Sequence, residues 1–231
     1  MAILACKGGS FILDVFVRHC QNRGLPAKRA KQIAKGNMKT LKKFIDYLNT
    51  ITDLPAGLVN ELEVHASIVQ VEKGRLYFEK NTHSLKLGFL AEGIMRIYDV
   101  DSIGREWNMV ILAPPMLLLG NPDLEAKSNH YIATITACEI LEFPISFLRN
   151  ALKEYPAFRE IQTKLLLELF KTKSEREYDF LSMTAKDRYL KFCEKNKDII
   201  DQLPQFHIAS YLGITSTQLS RINGSIRNQQ M

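Results

Sequence analysis

Residues 203–222 read LPQFHIASYLGITSTQLSRI, a pattern that predicts two short helices joined by a tight turn. Pro204 suits the start of the first helix, because its φ is already helical and the first N–H has no helical partner anyway. Gly213 suits the end of that helix, since glycine adopts the left-handed conformation without steric strain. Thr215 and Gln218 have capping-box spacing, so a second helix is expected to begin immediately after Thr215.

The second helix has two chemically different faces. Leu219, Ile222 and Ile226 fall on one side at helical spacing. The other side carries small polar side chains and one arginine: Ser216, Thr217, Ser220 and Arg221. This layout is typical of a DNA-binding helix-turn-helix, because arginine pairs bidentately with guanine while Ser and Thr bond to bases or phosphates. The alternative is a helical hairpin in a core, with Arg221 in a surface ion pair.

The composition is that of an ordinary globular protein. The 231 residues are 46% hydrophobic and 24% charged. The longest apolar run, residues 109–119, is too short to span a membrane and is broken by Pro114-Pro115. The apolar start lacks the charged flank of a signal peptide. We therefore predict a cytoplasmic protein without a membrane association.

The basic charge is concentrated at the N-terminus. Residues 1–37 hold seven basic residues and one acidic residue, which accounts for the whole net charge of +6. We predict that residues 1–37 are a basic extension, flexible or not native, and that the natural domain begins near Met38. A basic arm that contacts phosphates and a helix packed elsewhere are the alternatives.

No catalytic or metal-binding pattern is visible in the sequence. The four cysteines form no C-x-x-C pair, and the five histidines lack metal-ligand spacing. No nucleophile–base arrangement and no glycine-rich phosphate loop occurs. We predict free thiols, no metal and no enzymatic activity.

The middle of the chain changes period twice. Residues 38–66 have helical spacing with a break near Pro55, and short alternating strands separated by glycines follow from Ser67. This pattern predicts a small antiparallel barrel or sandwich. From Pro156 the helical period returns, and the helix has one apolar seam formed by Phe158, Ile161, Leu165 and Leu169. A seam on a long helix favours dimerisation, and packing on the chain's own barrel is the alternative.

The order of these parts resembles the Crp/Fnr family of bacterial transcription regulators. The resemblance covers roughly residues 38–226 and is carried mainly by the segments EGIMR at 92–96, SMTAKDRY at 182–189 and IASYLGIT at 208–215, followed by LSRI at 219–222. It implies an α+β fold with an antiparallel β-roll or jelly-roll barrel at 38–155, a dimerisation helix at 156–181 and a helix-turn-helix domain, winged in the family, at 182–231. Few residues remain after Arg227 for a wing.

The resemblance also implies partners and DNA-reading positions. A homodimer would read a palindromic site in double-stranded DNA, and RNA polymerase is a further candidate partner. Ser216, Thr217 and Arg221 would read bases, Gln218 would face phosphate or cap the helix, and Ser220 would lie on the same polar face. Thr217 is neutral where the family usually carries a charge, so the operator sequence is open.

The sensing site departs from the family's cyclic-nucleotide pattern. A buried cyclic phosphate needs a fixed cation, yet no arginine occurs between Arg105 and Arg149. The remaining candidates for an effector pocket are Gly120, Lys127 and Ser128. We predict no cofactor and an effector other than cyclic AMP. The competing hypothesis is a ligand-binding or protein-interaction module of the same fold that no longer binds DNA.

Overall fold

The structure is a computed structural model that describes residues 27–229, with side chains from 38 to 228. Helices α1 (Ala27–Asn49) and α2 (Ala56–His65) precede eight strands: β1 (Ser67–Val71), β2 (Leu76–Phe78), β3 (Lys86–Glu92), β4 (Met95–Val100), β5 (Glu106–Leu112), β6 (Met116–Leu118), β7 (Tyr131–Thr134) and β8 (Cys138–Pro144). Five helices and one 3₁₀ turn (Ile200–Gln202) follow: α3 (Ile145–Glu154), α4 (Pro156–Ser182), α5 (Ala185–Lys195), α6 (Gln205–Leu212) and α7 (Ser216–Gln229).

The predicted N-terminal extension falls largely outside the described residues. Helix α1 begins at Ala27 and continues without a break through residue 37 to Asn49. The prediction for residues 1–26 therefore lies outside what the structure describes. No helix within residues 27–229 is long and apolar enough to cross a membrane.

Two antiparallel four-stranded sheets form the β domain, as the alternating pattern predicted. Their strand orders are β1-β8-β3-β6 and β2-β7-β4-β5. Side chains from both sheets meet in an apolar layer that includes Leu90, Met95 and Ile140, each fully buried. Since alternate residues of a strand point to opposite faces, the other face of the first sheet is free to receive helices.

Helices cover that outer face. Phe44 of α1 lies between Phe89 and Phe143 of the sheet, with ring centroids 5.0 and 5.1 Å apart. Phe158 and Ile161 at the start of α4 belong to the same buried cluster. The first turns of the long helix are therefore fixed to the chain's own β domain.

Helices α5 to α7 form a third apolar cluster at the C-terminal end of the chain. Thr184 caps α5 by accepting a hydrogen bond from the backbone N–H of Asp187. Ile208, Leu212 and Leu219 are each at most 2% exposed, and Ile94 of the β domain, 1% exposed, belongs to the same cluster. Within residues 27–229 no strand follows α7.

Candidate nucleic-acid interface

The turn between α6 and α7 depends on one glycine. Gly213 has φ 68°, in the left-handed region, and its N–H bonds to the carbonyl groups at the end of α6. A Cβ added at this position would lie 2.9 Å from the ring of Phe180 in α4. The turn therefore requires glycine both for its backbone conformation and for the close approach of the long helix.

A reciprocal cap starts helix α7. The backbone N–H of Gln218 donates to Thr215 Oγ1 at 3.1 Å, and the backbone N–H of Thr215 donates to Gln218 Oε1 at 2.9 Å. This is the capping box that the sequence predicted. Of the two roles open to Gln218, the structure places its side-chain oxygen in the cap.

Helix α7 presents the predicted polar face to solvent. Leu219 is 1% exposed, and Ile222 and Ile226 are half-buried. The predicted DNA-reading side chains are all exposed: Ser216, Thr217, Gln218, Ser220 and Arg221. Within residues 38–228 no carboxylate pairs with Arg221. The guanidinium is therefore free for an external acceptor, unlike the surface ion pair of the hairpin alternative.

A groove between α6 and α7 extends this face beyond the predicted residues. Its volume is about 440 Å³, and it is lined by Gln205, Ser216, Ser220, Asn223, Gly224 and Arg227. The amide Nδ2 of Asn223 donates to Gln205 Oε1 at 3.3 Å. Sequence reasoning missed Gln205, Asn223 and Arg227. A signal was available for two of them, because Asn223 and Arg227 follow Ser216 by seven and eleven positions and so lie on the same face of α7.

The inner side of α6 is held against strand β5 by a buried polar cluster. Asn108, fully buried, donates from Nδ2 to the carbonyl of His207 at 3.0 Å and to its ring Nδ1 at 3.1 Å. The backbone N–H of Asn108 donates to Ser210 Oγ at 2.8 Å. Arg96 donates to Asn108 Oδ1 at 3.1 Å and pairs with Glu106 at 2.6 Å. These bonds join the helix-turn-helix to the β domain.

This environment keeps His207 neutral. The amide oxygen of Asn108 must face Arg96, a pure donor, so its nitrogen faces the imidazole and Nδ1 must accept. Burial, and then the positive charge of Arg96, lowers the pKa of His207 to about 4. At neutral pH the ring therefore carries its proton on Nε2.

Arg176 of α4 and Arg188 of α5 join the long helix to the end of α6. Arg176 donates to the carbonyl of Tyr211 at 2.9 Å, and Arg188 donates to the carbonyl of Leu212 at 3.3 Å. Both guanidinium groups lie against the ring of Phe180, 4.8 and 4.6 Å from its centroid. Cations at a helix C-terminus are favoured by the helix dipole, so α4 and the helix-turn-helix are packed as one unit.

The predicted dimer seam on α4 is divided. Phe158 and Ile161 are 4% and 2% exposed and pack on the chain's own β domain, so they are not available to a partner helix. Leu165 is half-buried against the same cluster, and only Leu169 of the predicted set is exposed. The predicted seam did not include the other exposed apolar side chains of α4: Leu166, Leu167, Phe170, Tyr178, Phe180 and Leu181.

The predicted effector residues lie in a loop, called the closed loop below, in which several polar groups are hydrogen-bonded within the chain. The N–H of Gly120 donates to Ser84 Oγ at 3.2 Å, and Ser128, 1% exposed, donates from its hydroxyl to the carbonyl of His130 at 2.7 Å. Lys127 is exposed, and its carbonyl accepts from the side chain of Asn121. Of the predicted anion-holding donors, the Gly120 N–H and the Ser128 hydroxyl are thus bonded within the chain, whereas the Lys127 side chain is exposed.

The nearest arginine to this loop is also paired. Arg149 of α3 reaches the outside of the loop and pairs with Glu125 at 2.9 Å. Sequence reasoning placed no arginine here, because Arg149 lies more than twenty residues further along the chain. Among residues 38–228, this ion pair leaves no unpaired guanidinium for a cyclic phosphate at the loop.

Comparison with known proteins identifies the fold. No protein-family model matches the chain, and no curated protein matches it. The solved structure of FixK2 from Bradyrhizobium japonicum matches with a TM-score of 0.65 and 15% identity, over 71% of this chain and 86% of that one. The c-di-GMP-responsive global regulator CLP of Xanthomonas campestris matches with a TM-score of 0.63 and 12% identity, over 76% and 93%.

A Crp/Fnr-family transcriptional regulator from Eubacterium rectale gives a similar result. Its TM-score is 0.63 at 15% identity, over 77% of this chain and 85% of that one. The two sheets, the long helix and the C-terminal helices are shared across these matches. This chain therefore has the α+β fold of the Crp/Fnr regulators and matches them over most of its length.

Proposed function

We propose that this protein is a Crp/Fnr-type transcription regulator that binds a palindromic DNA site as a homodimer. The observation that carries the proposal is the outward face of α7, where Ser216, Thr217 and Arg221 are exposed and Arg221 has no acidic partner in the described residues. A helix that buries Leu219 and presents these groups has the chemistry needed in a major groove.

The groove beside α7 supports a larger DNA contact. Gln205 and Asn223 offer amide groups, and Arg227 adds a second cation on the same side of the helix. Amides and arginines bond to phosphates as well as to bases, which positions a recognition helix in its groove. We assign base reading to Ser216, Thr217 and Arg221, with a guanine contact for Arg221.

The exposed apolar side chains of α4 support a dimer. Leu167, Phe170 and Leu181 are 62%, 71% and 82% exposed and recur along one helix. Covering them with the same helix of a second chain would bury this surface and place two recognition helices about a two-fold axis. The regulator would act in the cytoplasm on double-stranded DNA, with RNA polymerase as a further partner.

A mobility shift on the DNA upstream of the protein's own gene tests DNA binding. We expect a salt-sensitive complex, and Arg221→Ala should weaken it by roughly 10- to 100-fold, as for the loss of one bidentate base contact. The matched control is Arg149→Ala, because Arg149 is a half-buried arginine of α3, outside the helix-turn-helix. Equal effects of the two substitutions, or no complex on any genomic fragment, would contradict the proposal.

Sedimentation of an α4 variant tests the dimer separately. Leu167→Asp combined with Phe170→Asp should convert the dimer to a monomer, since two buried charges would face each other across the two-fold axis. Leu85→Asp is the control, because Leu85 is 76% exposed on the β domain. A dimer that survives the α4 substitutions would place the interface elsewhere.

A further inference from the structure

A cavity lies between the β domain and the helix-turn-helix, away from the closed loop at Gly120–Ser128. Its volume is about 390 Å³. The β domain contributes Lys73, Leu76, Arg96 and Tyr98, and helix α6 contributes Phe206 and His207. A molecule bound here would touch both halves of the chain at once.

The charge of the cavity favours an anion. Glu106 also lines it, but this carboxylate is paired with Arg96 at 2.6 Å. Lys73 then remains as an exposed cation, with no carboxylate paired to it within residues 38–228. The neutral ring of His207 adds an Nε2–H donor, because its Nδ1 accepts from Asn108. A carboxylate could accept from both donors.

The side chains that line the cavity favour a ligand with an aromatic ring. Phe206 is 58% exposed and Leu76 is 46% exposed, although both line a concave site where apolar surface is normally covered. The guanidinium carbon of Arg96 lies 3.9 Å from the centroid of the Tyr98 ring, so a cation–π contact joins these two side chains of the wall. Small-molecule sites typically combine such apolar walls with a few fixed polar groups.

We propose that this cavity binds a small aromatic carboxylate that bridges the β domain and the helix-turn-helix. The ligand's carboxylate pairs with Lys73 and His207, and its ring packs on Phe206 and Leu76. Bridging stabilises the packing of α6 on β5 and so changes how α7 meets DNA. The binding step stands by itself, whereas the effect on DNA affinity rests on the proposed function.

Calorimetric titration of the full chain without DNA tests the binding step, with benzoate and 1-naphthoate as probes. We expect saturable binding of 1-naphthoate with one site per chain, and at least roughly tenfold weaker binding of its neutral analogue 1-naphthalenemethanol. Lys73→Gln should raise Kd roughly tenfold, whereas the matched control Arg75→Gln, whose side chain pairs with Glu72, should leave it unchanged.

A second substitution tests whether the aromatic wall of the cavity contributes to ligand binding. Phe206→Ala should raise Kd for 1-naphthoate roughly tenfold, and Leu190→Ala, an exposed leucine outside the cavity, should not. The inference is overturned if neither carboxylate probe binds, if Lys73→Gln and Phe206→Ala leave Kd unchanged, or if inorganic phosphate binds as tightly as 1-naphthoate.

The effect on DNA is measured with the same probe in the mobility shift. We expect 1-naphthoate to change DNA affinity at least threefold in the wild type and not in Lys73→Gln. A protein that binds 1-naphthoate but no DNA contradicts the proposed function alone. A protein that binds DNA but none of the probes contradicts this inference alone.

Discussion

Helix α7 and the loop at Gly120–Ser128 are both rich in small polar residues, but these residues are exposed on α7 and bonded within the chain in the loop. On α7 the hydroxyls of Ser216 and Thr217 and the guanidinium of Arg221 face solvent. In the loop the hydroxyl of Ser128 is buried and bonded to a carbonyl of the chain. The difference shows that polar composition indicates a binding site only where the polar groups have no partner within the protein.

The largest expected effect is a loss of stability at acid pH. It arises on the inner side of the helix-turn-helix, where polar groups are bonded within the chain as they are in the loop. The pKa of His207 lies near 4 in the folded chain, below the value of about 6.5 for a free histidine. Burial lowers this pKa most, followed by the positive charge of Arg96. Lys73 also lowers it, whereas the negative charge of Glu106 raises it. As the pH falls from 6.5 towards 4, the unfolded chain takes up a proton before the folded chain does. Stability is therefore complete above pH 6.5 and is lost towards pH 4, by about 3 kcal/mol at most.

Urea unfolding at pH 7 and pH 4.5 checks this expectation. His207→Gln keeps a side-chain acceptor for Asn108 but does not titrate, so it should lose less stability over this range than the wild type. An identical loss in both proteins would show that the imidazole is not held neutral against β5.

The second effect concerns the turn of the helix-turn-helix. Gly213→Ala should lower the free energy of unfolding by about 2 kcal/mol, because a side chain is strained at φ 68° and would contact Phe180. Gly224→Ala is the matched control, since a Cβ there meets nothing within 4 Å. This control should raise stability by about 0.5 kcal/mol as a helical glycine replacement. Equal effects would mean that the turn tolerates a side chain.

The third effect concerns the closed loop. Gly120→Ala should lower the free energy of unfolding by about 1.5 kcal/mol, because its Cβ would collide with Ser84 Oγ and lie 3.0 Å from Ser128 Cβ. Adding Ser84→Ala removes the colliding oxygen and should recover part of the loss, measured as a double-mutant cycle. Additive losses would indicate that the loop is looser than the structure shows.

The last prediction is that cyclic nucleotides do not change the thermal stability of the protein. Cyclic AMP or cyclic GMP at about 1 mM should leave the Tm of the protein unchanged. The Gly120 N–H and the Ser128 hydroxyl are already bonded, Arg149 is paired with Glu125, and the exposed Lys127 is a poorer phosphate clamp than an arginine. A clear rise in Tm would show that the loop opens to bind a cyclic nucleotide, and the contrast with α7 would disappear.

The helix-turn-helix could be predicted from the sequence because its signals are local. Gly213, Thr215 and Gln218 act on residues no more than a few positions away, and the structure confirms the turn and the cap. The alternation of the strands predicted the antiparallel β domain for the same reason. The types of the main elements therefore followed from short-range patterns that need no knowledge of distant contacts, whereas the α+β fold as a whole was implied by the family resemblance.

The partners of each polar or apolar group could not be predicted in this way. Asn108 and His207 lie 99 positions apart, so their bond is invisible to any local pattern. The seam on α4 shows the same limit, since periodicity marks Phe158 and Leu169 alike as apolar. Only the packing shows that Phe158 is covered by the β domain and that Leu169 is exposed.

Selection of genomic DNA fragments bound by the wild-type protein tests the central claim most directly. If the free polar face of α7 reads DNA in a dimer, the enriched fragments will share two inverted half-sites, and a guanine in each half-site will lose its enrichment in Arg221→Ala. Fragments without a shared two-fold motif, or the same motif at unchanged strength for Arg221→Ala, would contradict the account.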